Sequence, residues 1–152
     1  LVNATDTSGT ISKSGGVDGN FDASGFANGA ISVDGDYFEI TIPSGITATQ
    51  KRFACGVTAD DPTPNYTGID HAIALNATFT TFEDGVVGIS TQPYTAGDLF
   101  RWELANGETE VLLRINGVLS YTYPTAPTLP LKFYISLRDD NAELDSITVL
   151  NN

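Results

Sequence analysis

One segment constrains the fold more than any other. Residues 94–123 read YTAGDLFRWELANGETEVLLRINGVLSYTY, three apolar, alternating runs cut by two Asn-Gly pairs. Phe100, Trp102 and Leu104 alternate with Leu99, Arg101 and Glu103; Val111, Leu113 and Ile115 follow the same period, with Arg114 between them. A period of two places successive side chains on opposite faces of a strand. Asn-Gly accepts the positive φ that two-residue hairpin turns require. The segment therefore predicts a three-stranded antiparallel ribbon. Its inward face carries Trp102 as core, and its outward face carries Arg101, Glu103 and Arg114.

The rest of the chain repeats the pattern, and helical periodicity is nearly absent. Asp34-Gly35 splits AISVDGDYFEITIP into an expected hairpin, in which Phe38, Ile40 and Ile42 oppose Tyr37, Glu39 and Thr41. RFACGVT places Phe53, Cys55 and Val57 on one face. HAIALNA places His71, Ile73 and Leu75 on one face and alanines on the other, which suggests that the second face is covered too. TFTTFEDGVVGIS predicts a hairpin at Asp84-Gly85, LKFYISL a further strand, and ELDSITVL the last one. Residues 1–29 are Gly/Ser-rich, and one short strand is expected near Thr10 to Lys13 before a long loop. About eleven or twelve strands with no helix to cover a sheet must pack as two sheets facing each other. The expected architecture is an all-β, antiparallel two-sheet β-sandwich of the jelly-roll kind. At 152 residues it reads as one domain, 1–152, with 1–29 as an irregular, loop-rich N-terminal segment.

Composition narrows the function. Seven Lys and Arg stand against nineteen Asp and Glu, a net charge of −12. A nucleic-acid binder needs a basic stripe, and an anionic membrane repels an acidic surface. No run of eighteen apolar residues is present, so membrane insertion is not expected. The single Cys55 lies in an apolar run and reads as a buried, inert thiol. The chain opens at Leu1 without Met and carries no visible signal peptide, which suggests a processed product or a piece of something longer. Asn-x-Thr sequons at Asn3, Asn65 and Asn76 matter only in a eukaryotic secretory setting.

The ribbon's residues carry a resemblance. Tyr94, Gly97, Asp98, Phe100, Trp102, Gly107, Val111, Asn116, Gly117 and Tyr121 form an aromatic-x-x-Gly-Asp run, two turns and a Tyr-ended strand. With FEDG at 82–85 before it and LPLKFYISL after it, this order resembles the concanavalin-A-like lectin/glucanase superfamily, in particular its bacterial and phage surface modules, over roughly residues 36–150. The resemblance implies a jelly-roll sandwich that often binds glycans. Some relatives hydrolyse them and others are structural, so the fold leaves function to the site.

Hydrolases of this fold carry Glu-x-Asp-x-x-Glu or a variant, which places two carboxylates about 5 Å apart for nucleophile and acid. The chain has no such motif; Glu108-Thr109-Glu110 is the nearest approach, and Glu39 stands alone in its strand. No enzyme activity is expected. A sugar site needs an aromatic platform and a few fixed polar groups. The loop with Asp60, Asp61, Pro62, Asn65 and Tyr66, followed by Asp70 and His71, supplies both. Arg101, Glu103 and Arg114 form a second candidate on the outward ribbon face, where relatives hold ligand, although a cross-strand ion pair is the simpler reading. Asp18-x-Asn20-x-Asp22 resembles the start of a Ca²⁺ loop, without its Gly and distal Glu, so the cofactor expectation is at most a structural Ca²⁺.

The expected function is a non-catalytic, lectin-like carbohydrate-binding module of an extracellular, cell-surface or virion-surface protein, with a glycan or polysaccharide as partner. The alternative is a purely structural β-sandwich in a fibre, tail, filament or capsid assembly, contacting neighbouring copies or a larger parent assembly.

Overall fold

A computed structural model describes residues 4–7, 10–60, 65–144 and 146–151. Fourteen strands are found among them: β1 Ala4–Thr7, β2 Thr10–Lys13, β3 Ala23–Phe26, β4 Tyr37–Thr41, β5 Phe53–Thr58, β6 His71–Leu75, β7 Phe79–Glu83, β8 Val86–Val87, β9 Leu99–Ala105, β10 Glu110–Ile115, β11 Val118–Tyr123, β12 Lys132–Leu137, β13 Glu143–Leu144 and β14 Thr148–Leu150. No described helix is long and apolar enough to cross a membrane.

The strands make a five-stranded sheet, β11-β10-β9-β4-β14, and a six-stranded sheet, β3-β12-β5-β6-β7-β8, with every pairing antiparallel. A small third sheet, β1-β2-β13, flanks β3. The inward residues of the two large sheets form one core. Phe38, Ile40, Phe100, Trp102, Leu104, Val111 and Leu113 come from one sheet, and Phe53, Cys55, Val57, Ile73, Phe133 and Ile135 from the other. Trp102 is fully buried, its ring centroid 5.5 Å from Phe133 on the facing sheet. The alternation thus fixes the ribbon as expected. Asn106-Gly107 and Asn116-Gly117 turn it with positive φ at both residues of each pair.

A second, smaller apolar cluster lies on the outer face of the six-stranded sheet. Ile69, Ala72 and Tyr134 are buried there beneath Phe26, Tyr66 and Phe82. Ala72 of β6 thus has cover on its own side, while Ala74 is only partly buried.

Three expectations need correction. No hairpin forms at Asp34-Gly35. Ile31 bridges Leu131 in the opposite sheet, and the Asp36 carboxylate accepts from Ser32 N and Val33 N instead, tying the connection into a local turn. The N-terminal segment is less irregular than its composition suggests: besides β2, it supplies β1, and β3 pairs with β12. Ala-Ser-Gly has poor strand propensity, so β3 exists through that pairing. ELDSITVL is two strands, not one, with β13 joining β2 and β14 joining β4.

Candidate functional site

The loop after β5 feeds two separate places. Asn65 caps a 3₁₀ turn, Tyr66–Gly68, by accepting from Thr67 N at 3.4 Å. The turn lays the Tyr66 ring against Phe82 (5.0 Å between centroids) and against Phe21 (4.8 Å). Phe21 belongs to the Gly-rich loop between β2 and β3, and that loop is firmly held. The Lys13 ammonium, fully buried, donates to the carbonyls of Val17 (2.7 Å), Asn20 (3.0 Å) and Arg138 (2.8 Å) and pairs with Asp22 Oδ1 at 2.8 Å. Arg138 Nε donates to Gly19 O at 2.8 Å, and its guanidinium lies 5.5 Å from the Phe21 ring centre. Between the two loops opens a cleft of about 450 Å³, lined by Gly19, Asn20, Phe21, Asn65, Tyr66 and Arg138.

Asp60, Asp70 and His71 face elsewhere. They line a cavity of about 140 Å³ with Asp84 and residues 125–128. Asp70 Oδ2 is engaged by Ala59 N at 3.0 Å. His71 is 2% exposed, edge-on to Tyr123, with Nδ1 3.6 Å from Glu83 Oε1. Burial pushes its pKa down, while Glu83, Asp70 and Asp84 pull the other way; the net shift is downward, so the ring is neutral near pH 7. Glu83 Oε1 also accepts from Thr125 N at 2.7 Å. Asp61 lies outside the described residues.

Arg101, Glu103 and Arg114 do come together on the outer face of the five-stranded sheet, and they bind one another. Arg101 pairs with Glu39 across strands at 2.8 Å and stacks 3.8 Å over Tyr37; Arg114 pairs with Glu103 at 3.0 Å. The simpler reading of this face, a cross-strand ion-pair network, is the one observed.

The Asp18, Asn20, Asp22 group needs correction as a metal site. The oxygens of Asn20 and Asp22 converge on Lys13 Nζ, and Asp18 Oδ1 accepts instead from Asp140 N at 3.0 Å. A buried ammonium fills the place that the Ca²⁺ reading assigned to metal. Among the described residues, no group of three or more His, Cys, Asp or Glu side chains is arranged to hold a metal ion. Asn20 belongs instead to the cleft.

Besides Gly19, two cleft residues are not among the candidates that the sequence offers. Phe21 is a lone aromatic in a polar, Gly-rich loop, which was the one available signal. Arg138 follows β12 and reaches the cleft only through the pairing of distant strands.

No protein-family model matches the chain, and no curated protein matches it in sequence. Solved structures do match. The TRIM65 PSpry domain superposes with TM-score 0.64 at 12% identity, over 99% of this chain and 86% of that one. A toad ovary galectin in complex with thio-digalactose gives TM-score 0.53 at 16% identity, over 84% of this chain and 97% of that one. The β-glucanase of Bacillus licheniformis gives 0.50 at 12% identity, over 80% and 69%. The fold is the concanavalin-A-like jelly roll. Identities this low speak to fold alone, and the concanavalin-A-like frame is shared by a sugar-bound lectin and a glucanase.

Proposed function

We infer that the chain is a non-catalytic, lectin-like carbohydrate-binding module of an extracellular or virion-surface protein. The observation that carries this reading is the cleft, where Asn65 and Tyr66 meet Asn20 and Phe21 around about 450 Å³ of open space. Half-buried rings offer a platform to the apolar face of a sugar, and planar amides beside them offer hydrogen-bonding groups. The volume falls within the ~300–1,000 Å³ usual for ligand sites. The sugar-bound galectin on the same fold supports the same class of ligand. The carboxylates that could have served catalysis have other partners. Glu39 holds Arg101, Glu108 accepts from Asp34 N, and Glu110 accepts from the Asn106 amide.

A glycan and polysaccharide array, followed by calorimetry on any hit, tests this reading. Saturable binding is expected, with loss in Asn20→Ala, which removes an amide while keeping the backbone carbonyl that Lys13 uses. Binding should persist in EDTA, because the loop oxygens are held by Lys13. A blank array at high protein concentration would refute the reading.

One feature favours a second reading, a structural module in a larger assembly. β11 is a six-residue edge strand without a charged side chain, and Val118 and Leu119 on it are 70% and 49% exposed. Uncharged apolar edges invite strand pairing. Light scattering that rises with concentration, and is abolished by Leu119→Lys, is the outcome this reading requires.

A further inference from the structure

We propose that the cleft accepts an acidic saccharide, with the sugar's carboxylate on Arg138 and its ring over Tyr66 and Phe21. This rests on the glycan-binding reading and adds the chemical class of the ligand.

The argument starts from the distribution of positive charge. The chain has seven Lys and Arg among nineteen Asp and Glu, so nearly every cation should find a carboxylate. Five do: Lys13 with Asp22, Lys51 with Glu143, Arg52 with Asp139, Arg101 with Glu39, and Arg114 with Glu103. Among the described residues, Arg138 and Lys132 have no carboxylate within ion-pair distance. Lys132 is exposed on the surface, 5.3 Å from the Phe26 ring centre. Arg138 is partly buried and lines the cleft.

The Arg138 fork is also held in place. Its Nε is engaged by Gly19 O and its carbonyl by Lys13, so the side chain emerges from a fixed base against the Phe21 ring. A guanidinium offers two parallel N–H donors that match a carboxylate, and such charge-assisted pairs are about twice as strong as neutral hydrogen bonds. A neutral hydroxyl would use one of those donors and form no ion pair. The net charge of −12 works against any anionic ligand at long range. At ~0.15 M salt that repulsion is screened beyond about 8 Å, whereas a contact pair in a partly buried cleft is screened much less. Contact chemistry therefore decides.

The test is calorimetry on the full chain at ~0.15 M salt. The probes are matched pairs that differ in charge: oligogalacturonate against its methyl ester, and sialyllactose against lactose. At least one acid member is expected to bind about tenfold more tightly than its uncharged partner. Arg138→Gln should reduce that preference to near parity, and Lys132→Gln should leave it intact. Arg138→Lys retains the charge and should keep part of the preference. Arg138→Gln is to be compared by thermal melting, so that a loss of fold is not mistaken for a loss of ligand. If the uncharged partners bind as well as the acids, or if Arg138→Gln keeps the preference, the proposal fails while glycan binding stands. If no saccharide of either kind binds, both fail.

Discussion

Lys13 Nζ lies 2.8 Å from Asp22 Oδ1 and within 3.0 Å of the carbonyl oxygens of Val17, Asn20 and Arg138. One ammonium thus joins the end of β2, the cleft loop and the residue after β12. Replacing it with Met keeps the stem and removes every one of these bonds. Breaking a buried pair costs ~3–5 kcal/mol, and the lower end applies because Asp22 keeps 32% of its side-chain exposure. Lys13→Met is expected to lose about 3 kcal/mol in urea denaturation. It should also let the Asp22 pKa rise, since the Lys13 hydrogen bond is the largest cause lowering it.

Stability should fall in two steps on acidification. His71 sits below its ordinary value because burial disfavours the imidazolium. As pH drops below ~6.5, the unfolded chain takes up a proton that the fold resists, and stability declines until the folded-state pKa is passed. The second step belongs to carboxylates. Asp22 is lowered by Lys13 and Asp98 by the Asn116 amide. At Asp139, burial raises the pKa and the Arg52 bonds more than offset it. Their stabilisation is complete above ~4 and is lost as pH falls through their folded-state values. Thermal melts from pH 8 to pH 3 check both steps, and His71→Gln should remove much of the upper one.

Gly56 should tolerate no side chain. A Cβ there would stand 2.1 Å from His71 O and 2.7 Å from Ala72 Cα, on the neighbouring strand β6. Backbone cannot yield as the end of a flexible side chain can, so β5 and β6 would have to part. Gly56→Ala is expected to cost more than ~3 kcal/mol or to yield no soluble protein. Soluble yield and melting temperature read this directly.

The Arg101–Glu39 pair should contribute little despite its 2.8 Å geometry. Its side chains keep 28% and 18% exposure, and a cross-strand pair open to water is worth ~0.5–1 kcal/mol. A double-mutant cycle with Arg101→Met and Glu39→Gln should give a coupling of that size, shrinking as salt is added. A coupling above ~2 kcal/mol would mean a drier face than this exposure implies.

The ribbon, the sandwich and the burial of Trp102 were legible in the sequence because they rest on local rules. Alternation of period two sets the faces, and Asn-Gly sets the register. β3 was not legible, since Ala23, Ser24 and Gly25 form a strand only because β12 lies beside them. The split of β13 from β14 is hidden in the same way, the two strands being claimed by different sheets. At the cleft, Asn65 and Tyr66 were visible as an aromatic beside an amide in a loop. Their separation from Asp60, Asp70 and His71 was not, because neighbours in one loop line two different cavities and nothing local assigns each residue to its own. The acidic loop was misread for a definite reason: oxygen-rich spacing fits any buried cation, and the cation came from Lys13, five residues before Asp18.

Several pairings join segments more than a hundred residues apart, which bears on how the fold can form. Ser24 lies against Ser136, Ser12 against Glu143 and Glu39 against Thr148. On a ribosome, the β9-β10-β11 ribbon can close as soon as it emerges, since its strands are joined by tight turns. Other pairings have to wait: β3 has only β12 beside it, while β2, already paired with β1, and β4, already paired with β9, gain their second neighbours only with β13 and β14. Completion of the sheets is therefore set by these long loop closures, which are slow and leave apolar strands open to self-association. Shielding by a chaperone would matter most in that interval.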